Sequence, residues 1–372
     1  MTTHTAAESA DRRAVAFVAP ARTRPAGRLR HTLFYAVILP TLAVAAVSGI
    51  AVGSTALDWT MVVRVLGVKL LPVGWVDASP ITRADEAIVW LIRFPRVIVA
   101  GVIGAGLATA GVIMQSLFRN PLAEPSLTGV GQGAVLGAVV VFVSGWGTTS
   151  SVTLPLASVA SALLALCLVY AVATRGGATP ITTLLLAGIA LGAFLTAISS
   201  LLLSLNIVTW QVAQEIVFWM MGGLDSRSWA HVWLSAPFVL VGLCAALLQA
   251  RTLDLLLLGE ENAAALGVEI EPAKRLLVFT SALLTGASVA VAGLVGFVGL
   301  VVPHAVRLLL GPGHRTLLPA SAVSGAAFVI LCDLAARTVR PPAEVRLGVV
   351  TALAGAPFFL LLLVRRLREA HE

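Results

Sequence analysis

The fold class this sequence predicts is an all-α integral membrane protein of about ten transmembrane helices, with both termini cytoplasmic. Three observations carry the prediction. Hydrophobic residues make up 58% of the 372-residue chain and charged residues 12%, with a mean hydropathy of +0.97; soluble domains have ~45–50% apolar and ~25% charged residues. Apolar runs of about 20 residues, long enough to cross a bilayer as helix, recur along the chain. Small residues recur inside those runs at a spacing of three or four, which lets helices pack closely where lipid supplies no hydrophobic drive. So much apolar surface behind so few charges excludes a soluble enzyme, a disordered chain and a disulfide scaffold.

Taken in order, residues 1–30 form a polar, Arg-rich stretch with Pro20 and Pro25, read as a disordered cytoplasmic tail. It is too long for the basic start of a signal peptide, and the apolar run behind it, about 31–52, is long enough to remain as a first span. Further spans are expected at about 94–118, 126–144, 152–173, 181–205, 231–250, 274–295, 297–311, 317–336 and 346–364, with 297–311 short for a crossing. They make one membrane domain over 31–364, followed by a cytoplasmic tail over 365–372. With the N-terminus inside, most Arg and Lys fall on inner segments, the bias that orients membrane proteins. Every tryptophan (Trp59, Trp75, Trp90, Trp146, Trp210, Trp219, Trp229, Trp233) then falls on or beside the outer face. The amphipathic stretch 206–229 predicts an interfacial helix there, ended by Gly222-Gly223.

Gly101, Gly104, Ala108 and Gly111 in the second span, and Gly129, Gly131, Gly133 and Gly137 in the third, read as packing positions. A short similarity between 107–111 and 288–293 joins two spans of opposite direction, as inverted repeats do. Cys167, Cys244 and Cys332 lie in apolar runs without metal-ligand spacing and read as small buried thiols.

Several chemistries are absent. No Gly-Lys pair exists in the chain, so no Walker-A loop can form, and Gly129-Val130-Gly131-Gln132-Gly133 heads a span instead of joining a strand to a helix. There is no HExxH or GxSxG, and the six histidines are scattered. No metal site is expected. Carriers driven by an ion gradient place acids at mid-membrane. The main acid here, Asp333, sits four residues before Arg337, an order that favours a local ion pair on a helix. Coupling energy is therefore expected from outside this chain, and the secondary transporter is the rival class.

The specific signals are Arg93-Phe94-Pro95-Arg96; the run from Gln115 through Phe118-Arg119-Asn120-Pro121-Leu122-Ala123-Glu124-Pro125; Gly259-Glu260-Glu261-Asn262-Ala263-Ala264-Ala265-Leu266-Gly267; Gly299-Leu300-Val301-Val302-Pro303-His304; and Gly355-Ala356-Pro357-Phe358-Phe359. In this order and at these distances they resemble the FecCD family, the permeases of type II ABC importers for ferric siderophores, haem and cobalamin. The resemblance runs from about Leu33 to Val364.

It implies a permease with no enzymatic chemistry of its own, multi-pass in the cytoplasmic (inner) membrane, paired with a second copy or a sister permease. ATPase subunits, which bind the ATP and magnesium, lie below it. A periplasmic or lipid-anchored substrate-binding protein docks above. No cofactor in this chain and no nucleic-acid partner are implied. The substrate expected is a ferric siderophore, with cobalamin and haem as alternatives. By the same resemblance Arg93, Arg96 and Arg337 receive glutamates of the binding protein, and bidentate carboxylate contacts would fix docking register. Within 254–274, read as two short helices broken at Gly267, the residues Glu260, Glu261, Ala264, Leu266 and Gly267 match the element that enters a groove on the ATPase. The family's path runs along the fifth span, where Thr196, Ser199, Ser200 and Ser204 offer a mildly polar lining or bond back to their own helix. One departure stands out. Relatives commonly carry proline where this chain has Arg346, which adds positive charge at the outer end of the last span, open to a docking, substrate or headgroup contact.

Overall fold

The computed structural model describes residues 25–53, 57–72, 74–146, 152–205, 210–341 and 343–369. The expected tail over 1–30 lies mostly outside them. Among the described residues fifteen α-helices follow one another: α1 Pro25–Ala51, α2 Trp59–Leu70, α3 Arg83–Glu86, α4 Phe94–Leu117, α5 Val130–Val143, α6 Thr153–Ala173, α7 Ile181–Leu205, α8 Trp210–Met220, α9 Trp229–Leu248, α10 Ala250–Leu256, α11 Glu260–Ala265, α12 Ile270–Ala292, α13 Val298–Leu310, α14 His314–Thr338 and α15 Leu347–Glu369. Among the described residues the only extended pairing is a bridge between Arg175 and Ala178.

Among the described residues, seven helical stretches are long and apolar enough to cross a membrane, and α5, α13 and the Leu347–Leu361 part of α15 are shorter apolar helices. The expected spans all fall on helices, with differences that have local causes. The second begins earlier, because Thr82 and Asp85 form a capping box that starts a helix at Arg83. That helix passes through a π-type stretch, Ala87–Arg93, into α4. Pro95 has no N–H to give, and the wider turns before it absorb the mismatch without ending the helix. The last helix runs on to Glu369, into the stretch expected as tail. The helix α2, which lies between the first two expected spans, packs through buried Val62 and Val65. Within 206–229, where the sequence predicts an interfacial helix, the structure has the helix α8; residues 206–209 lie outside the described residues.

At the centre stand α4 and α12, buried along most of their length. Glycines set their spacing. A Cβ on Gly104 would collide with the Gly325 carbonyl of α14, and one on Gly111 with the carbonyl of Gly299 in α13. Close backbone approach of this kind is how helices associate in lipid. The short helices α5 and α13 result from two irregular stretches that meet each other. After α4 the chain turns through the 3₁₀ helix Pro125–Thr128, and after α12 it turns at Gly293 and Phe297, both at positive φ. Glu124 Oε1 accepts from the Phe297 amide at 3.1 Å. Gln115 Nε2 donates to the carbonyls of Gly299 and Leu300 at 3.2 and 3.0 Å. Non-helical backbone is tolerated at membrane depth only when buried and paired in this way.

The cysteine expectation needs correcting. Cys332 is buried, but Cys167 and Cys244 are exposed on the single chain. An apolar outer surface is normal for a protein solvated by lipid, so an apolar run alone does not make a thiol internal.

Candidate functional site

One end of the molecule gathers arginines. The helix α1 ends there, leaving carbonyls without partners inside the helix and the negative end of its dipole. Arg93, at the start of α4, donates to Ile50 O and Ala51 O at 2.9 and 2.7 Å. Arg337, in the last turn of α14, donates to Gly49 O and Val52 O at 2.9 and 3.1 Å. The two arginines are only 5% and 8% exposed. Sequence reasoning set them facing outward; in the single chain they hold the end of α1 to α4 and α14.

Arg96 behaves differently. One edge of its guanidinium grips Asp333 through Nε and Nη2 at 2.9–3.2 Å. The other edge forks onto Glu344, Nη1 to Oε1 at 3.1 Å and Nη2 to Oε2 at 2.7 Å. Such paired contacts are the strongest an arginine makes with carboxylates. Asp333 is 1% exposed and also meets Arg337 Nε at 3.1 Å, so one buried anion serves two cations. Glu344 and Asp225 complete the network from loops. Asp225 pairs with Arg346, whose guanidinium lies 4.1 Å above the Phe218 ring. Arg346 is therefore neutralised within the chain.

The carboxyls of Asp225 and Glu344 are close enough to hydrogen-bond to each other, which two carboxylates can do only around a proton. Burial opposes charge on Asp225, but that bond and the guanidiniums of Arg346 and Arg96 hold its carboxyl below the usual range. Burial, then the bond to Asp225, pushes Glu344 up. Beside the network a cavity of about 440 Å³ is lined by Glu215, Phe218, Asp225, Arg227 and Arg346.

The opposite end carries α10 and α11, separated by Gly259 at φ 105°. Gly267, at φ 88°, turns the chain towards α12, as the sequence predicts for that position, while the earlier break at Gly259 was not foreseen. Ala263 seats α11 on the body, and Leu266 is 59% exposed. Glu261, Ala264 and Gly267 are exposed as well. Glu260 is held: buried Lys274 reaches its Oε2 at 3.1 Å, Glu271 at 2.6 Å and the carbonyl of Thr179 at 2.8 Å. Sequence reasoning missed this clamp, although Lys274 is one of only two lysines in the chain and follows an acidic turn. A groove of about 500 Å³ lies behind Leu266, between Arg251, Leu255, Glu269 and Pro272.

On α7 the four polar residues divide. Ser199 is buried and bonds back to Leu195 O, and Thr196 bonds back to Gly192 O, both at 2.9 Å. Thr196, Ser200 and Ser204 are exposed on the single chain and follow one another every four residues, which places them in one stripe. No group of three or more His, Cys, Asp or Glu suited to a metal occurs among the described residues.

A helical body with two charged ends, one of clamped arginines and one of an exposed turn, and with many apolar helices between them, is a multi-pass membrane protein. Residues 38–365 match the FecCD transport family, and the chain belongs to it. It is the permease of a type II ABC importer. The cobalamin import system permease of Halobacterium salinarum is 42% identical over 293 residues, 76% of this chain and 75% of that protein. An ABC transporter permease of Bacillus subtilis is 39% identical over 350 residues, 93% and 98% of the two chains. The hemin transport permease of Yersinia pestis is 40% identical over 294 residues, 77% of this chain and 86% of that one. Among solved structures, an inward-facing ABC transporter of metal-chelate type superposes with a TM-score of 0.78 at 29% identity, covering 90% of this chain and 99% of that one. These relatives are transport permeases and not enzymes.

Proposed function

We propose that this chain is the translocating subunit of an importer for a bulky metal chelate, ten-spanning in the cytoplasmic membrane with both termini inside, and paired with a second permease. The observation that carries the reading is the pair of sites at opposite ends of α4: a clamped arginine cluster and an exposed turn, each shaped for a protein partner. The arginine end docks a substrate-binding protein. Arg96 is its contact residue, because Glu344 on a loop is a partner that an incoming carboxylate can replace, while Arg93 and Arg337 keep the helix ends in register behind it. The turn around Leu266 enters a groove on an ATPase, with Glu261, Ala264 and Gly267 around that anchor and Glu260 clamping the turn to α12. ATP and magnesium belong to that partner. The stripe Thr196, Ser200 and Ser204 lines a weakly polar path along the dimer axis, with Ser199 packed behind it. ATP-driven movement of the turns rocks the paired permeases between outward and inward states.

The family narrows the cargo without fixing it. A ferric siderophore is the reading from sequence, and the metal-chelate type of the solved relative is compatible with it. A tetrapyrrole, cobalamin or haem, is the second reading, favoured by what the named relatives carry. Arg346 does not argue for an anionic cargo, since Asp225 already pairs with it. The test is uptake of labelled cobalamin, haem and ferric siderophores by cells with and without the gene. Loss of one, restored by the wild-type gene but not by an Arg96→Glu variant that reaches the membrane, assigns cargo and docking site together. No loss of any of the three would overturn the metal-chelate reading.

A further inference from the structure

Ser116, Asp254 and His314 are brought together by three different helices. Ser116 Oγ lies 2.5 Å from His314 Nε2, and His314 Nδ1 lies 2.6 Å from Asp254 Oδ1, which also accepts from the His314 amide at 3.0 Å. The atoms are arranged as in a hydrolase relay. Ser116 and His314 are 0% exposed, however, so no substrate carbonyl can reach the hydroxyl, and an acyl-transfer role is excluded on access.

What the three residues join is informative. Asp254, with 41% of its side chain exposed, belongs to α10, next to the exposed turn. Ser116 ends α4 and His314 begins α14. These two helices pack without a gap where Gly104 meets Gly325. At their far ends they are joined again, by Arg96 of α4 on Asp333 of α14 at 2.9 Å. Two long helices fastened at both ends and interlocked at the middle move as one body. That body spans the length of α4, about 36 Å at 1.5 Å per residue.

We propose that α4 and α14 form a connecting rod between the ATPase-coupling turn and the arginine cluster, and that His314 is the joint by which α10 drives it. The inference rests on the importer reading above. It gives the coupling a physical carrier, a rigid element whose position both ends can bias. His314 is a positioning residue, since it acts through α10 and α4 and touches no substrate.

The experiment uses the full complex of permease, ATPase and binding protein in proteoliposomes, for wild type, His314→Ala, Asp254→Ala and Asp254→Asn. Asp254→Ala is the safeguard against misfolding, because Asp254 is half-exposed and the Ser116–His314 contact survives its loss. Complex assembly, basal ATP hydrolysis, stimulation of hydrolysis by substrate-loaded binding protein, and uptake are read together. The rod predicts that His314→Ala and Asp254→Ala assemble and keep basal hydrolysis but lose at least about fivefold in stimulation, with uptake falling in parallel. Asp254→Asn, which keeps the acceptor, stays closer to wild type. Intact complexes of both alanine variants whose stimulation and uptake remain within about twofold of wild type would overturn the rod, leaving a purely structural tie. Wild-type complexes that show no stimulation at all would overturn the importer reading and the rod with it.

Discussion

Removing the carboxylate of Asp333 gives the most informative test of how the arginine end is built. Asp333 is 1% exposed and holds Arg96 at 2.9 Å and Arg337 at 3.1 Å. In Asp333→Ala, Arg96 keeps Glu344, while Arg337 keeps only backbone carbonyls, those of Gly49, Val52 and residue 333. A buried guanidinium has then lost its counter-charge. Breaking a buried pair from one side costs about 3–5 kcal/mol, most of it the penalty of the charge left behind. For a chain of this size that corresponds to a fall of roughly 4–6 °C in Tm. The measurement is thermal unfolding of the detergent-solubilised permease, followed by loss of monodisperse protein. Because the penalty lies in the orphaned cation, adding Arg337→Met should recover part of the loss, with a coupling of about 1–3 kcal/mol in the double-mutant cycle. A single-variant loss below about 1 kcal/mol, or strict additivity in the cycle, would refute the shared-anion account.

Three further outcomes follow from the same geometry. Gly104→Leu, which drives a side chain into the Gly325 carbonyl, should cost at least about 1–3 kcal/mol and leave little folded protein by size-exclusion chromatography, whereas a wild-type elution profile would contradict the close approach of α4 and α14. Lys274→Met should free Glu260 and cost about 1–2 kcal/mol after allowance for the exposure of its partners, and hydrogen exchange over 259–267 should rise; unchanged exchange there would mean the clamp does not hold the turn. The carboxyl pair predicts a pH dependence. Glu344 is raised, so its contribution is present at low pH and lost as pH rises through its folded pKa; Asp225 is lowered, so its contribution is present above its unfolded pKa and lost as pH falls through its folded value. Between those two values the pair holds one proton, and the stability gap between wild type and Glu344→Gln should shift toward wild type as pH falls from neutral into that window; a pH-independent gap would argue against the shared proton.

Much of the fold was legible because membrane helices announce themselves by length and polarity. The run 181–205 fell on α7 at both ends, and Gly267 fell at the turn into α12. Boundaries failed where local chemistry overrode hydropathy. The capping box at Thr82 extended the second span backwards, and Pro95, a helix-start signal, sits inside a helix that a π-type stretch keeps continuous. The candidate sites were legible only in part. Motif residues such as Arg93 and Arg96 could be named, but their surroundings depend on partners far away in sequence: Ile50, Asp333 and Glu344. The pairing of Asp333 with Arg337 was visible as an i,i+4 order. The grip of Arg96 on the same carboxylate, 237 residues away, was not. Likewise Ser116, Asp254 and His314 carry no shared pattern in the sequence, and only the fold brings them within hydrogen-bond reach.

The central claim is ATP-driven import through this chain, with coupling at the turn around Leu266. Its most direct test is uptake of the assigned chelate into proteoliposomes holding the permease and ATPase, with binding protein and chelate outside and ATP enclosed. The account predicts uptake that requires hydrolysable ATP, survives collapse of ion gradients, and disappears in Leu266→Asp while binding-protein docking is retained. Uptake that proceeds without ATP and stops when an ionophore collapses the gradient would contradict it and return the chain to the class of secondary transporters.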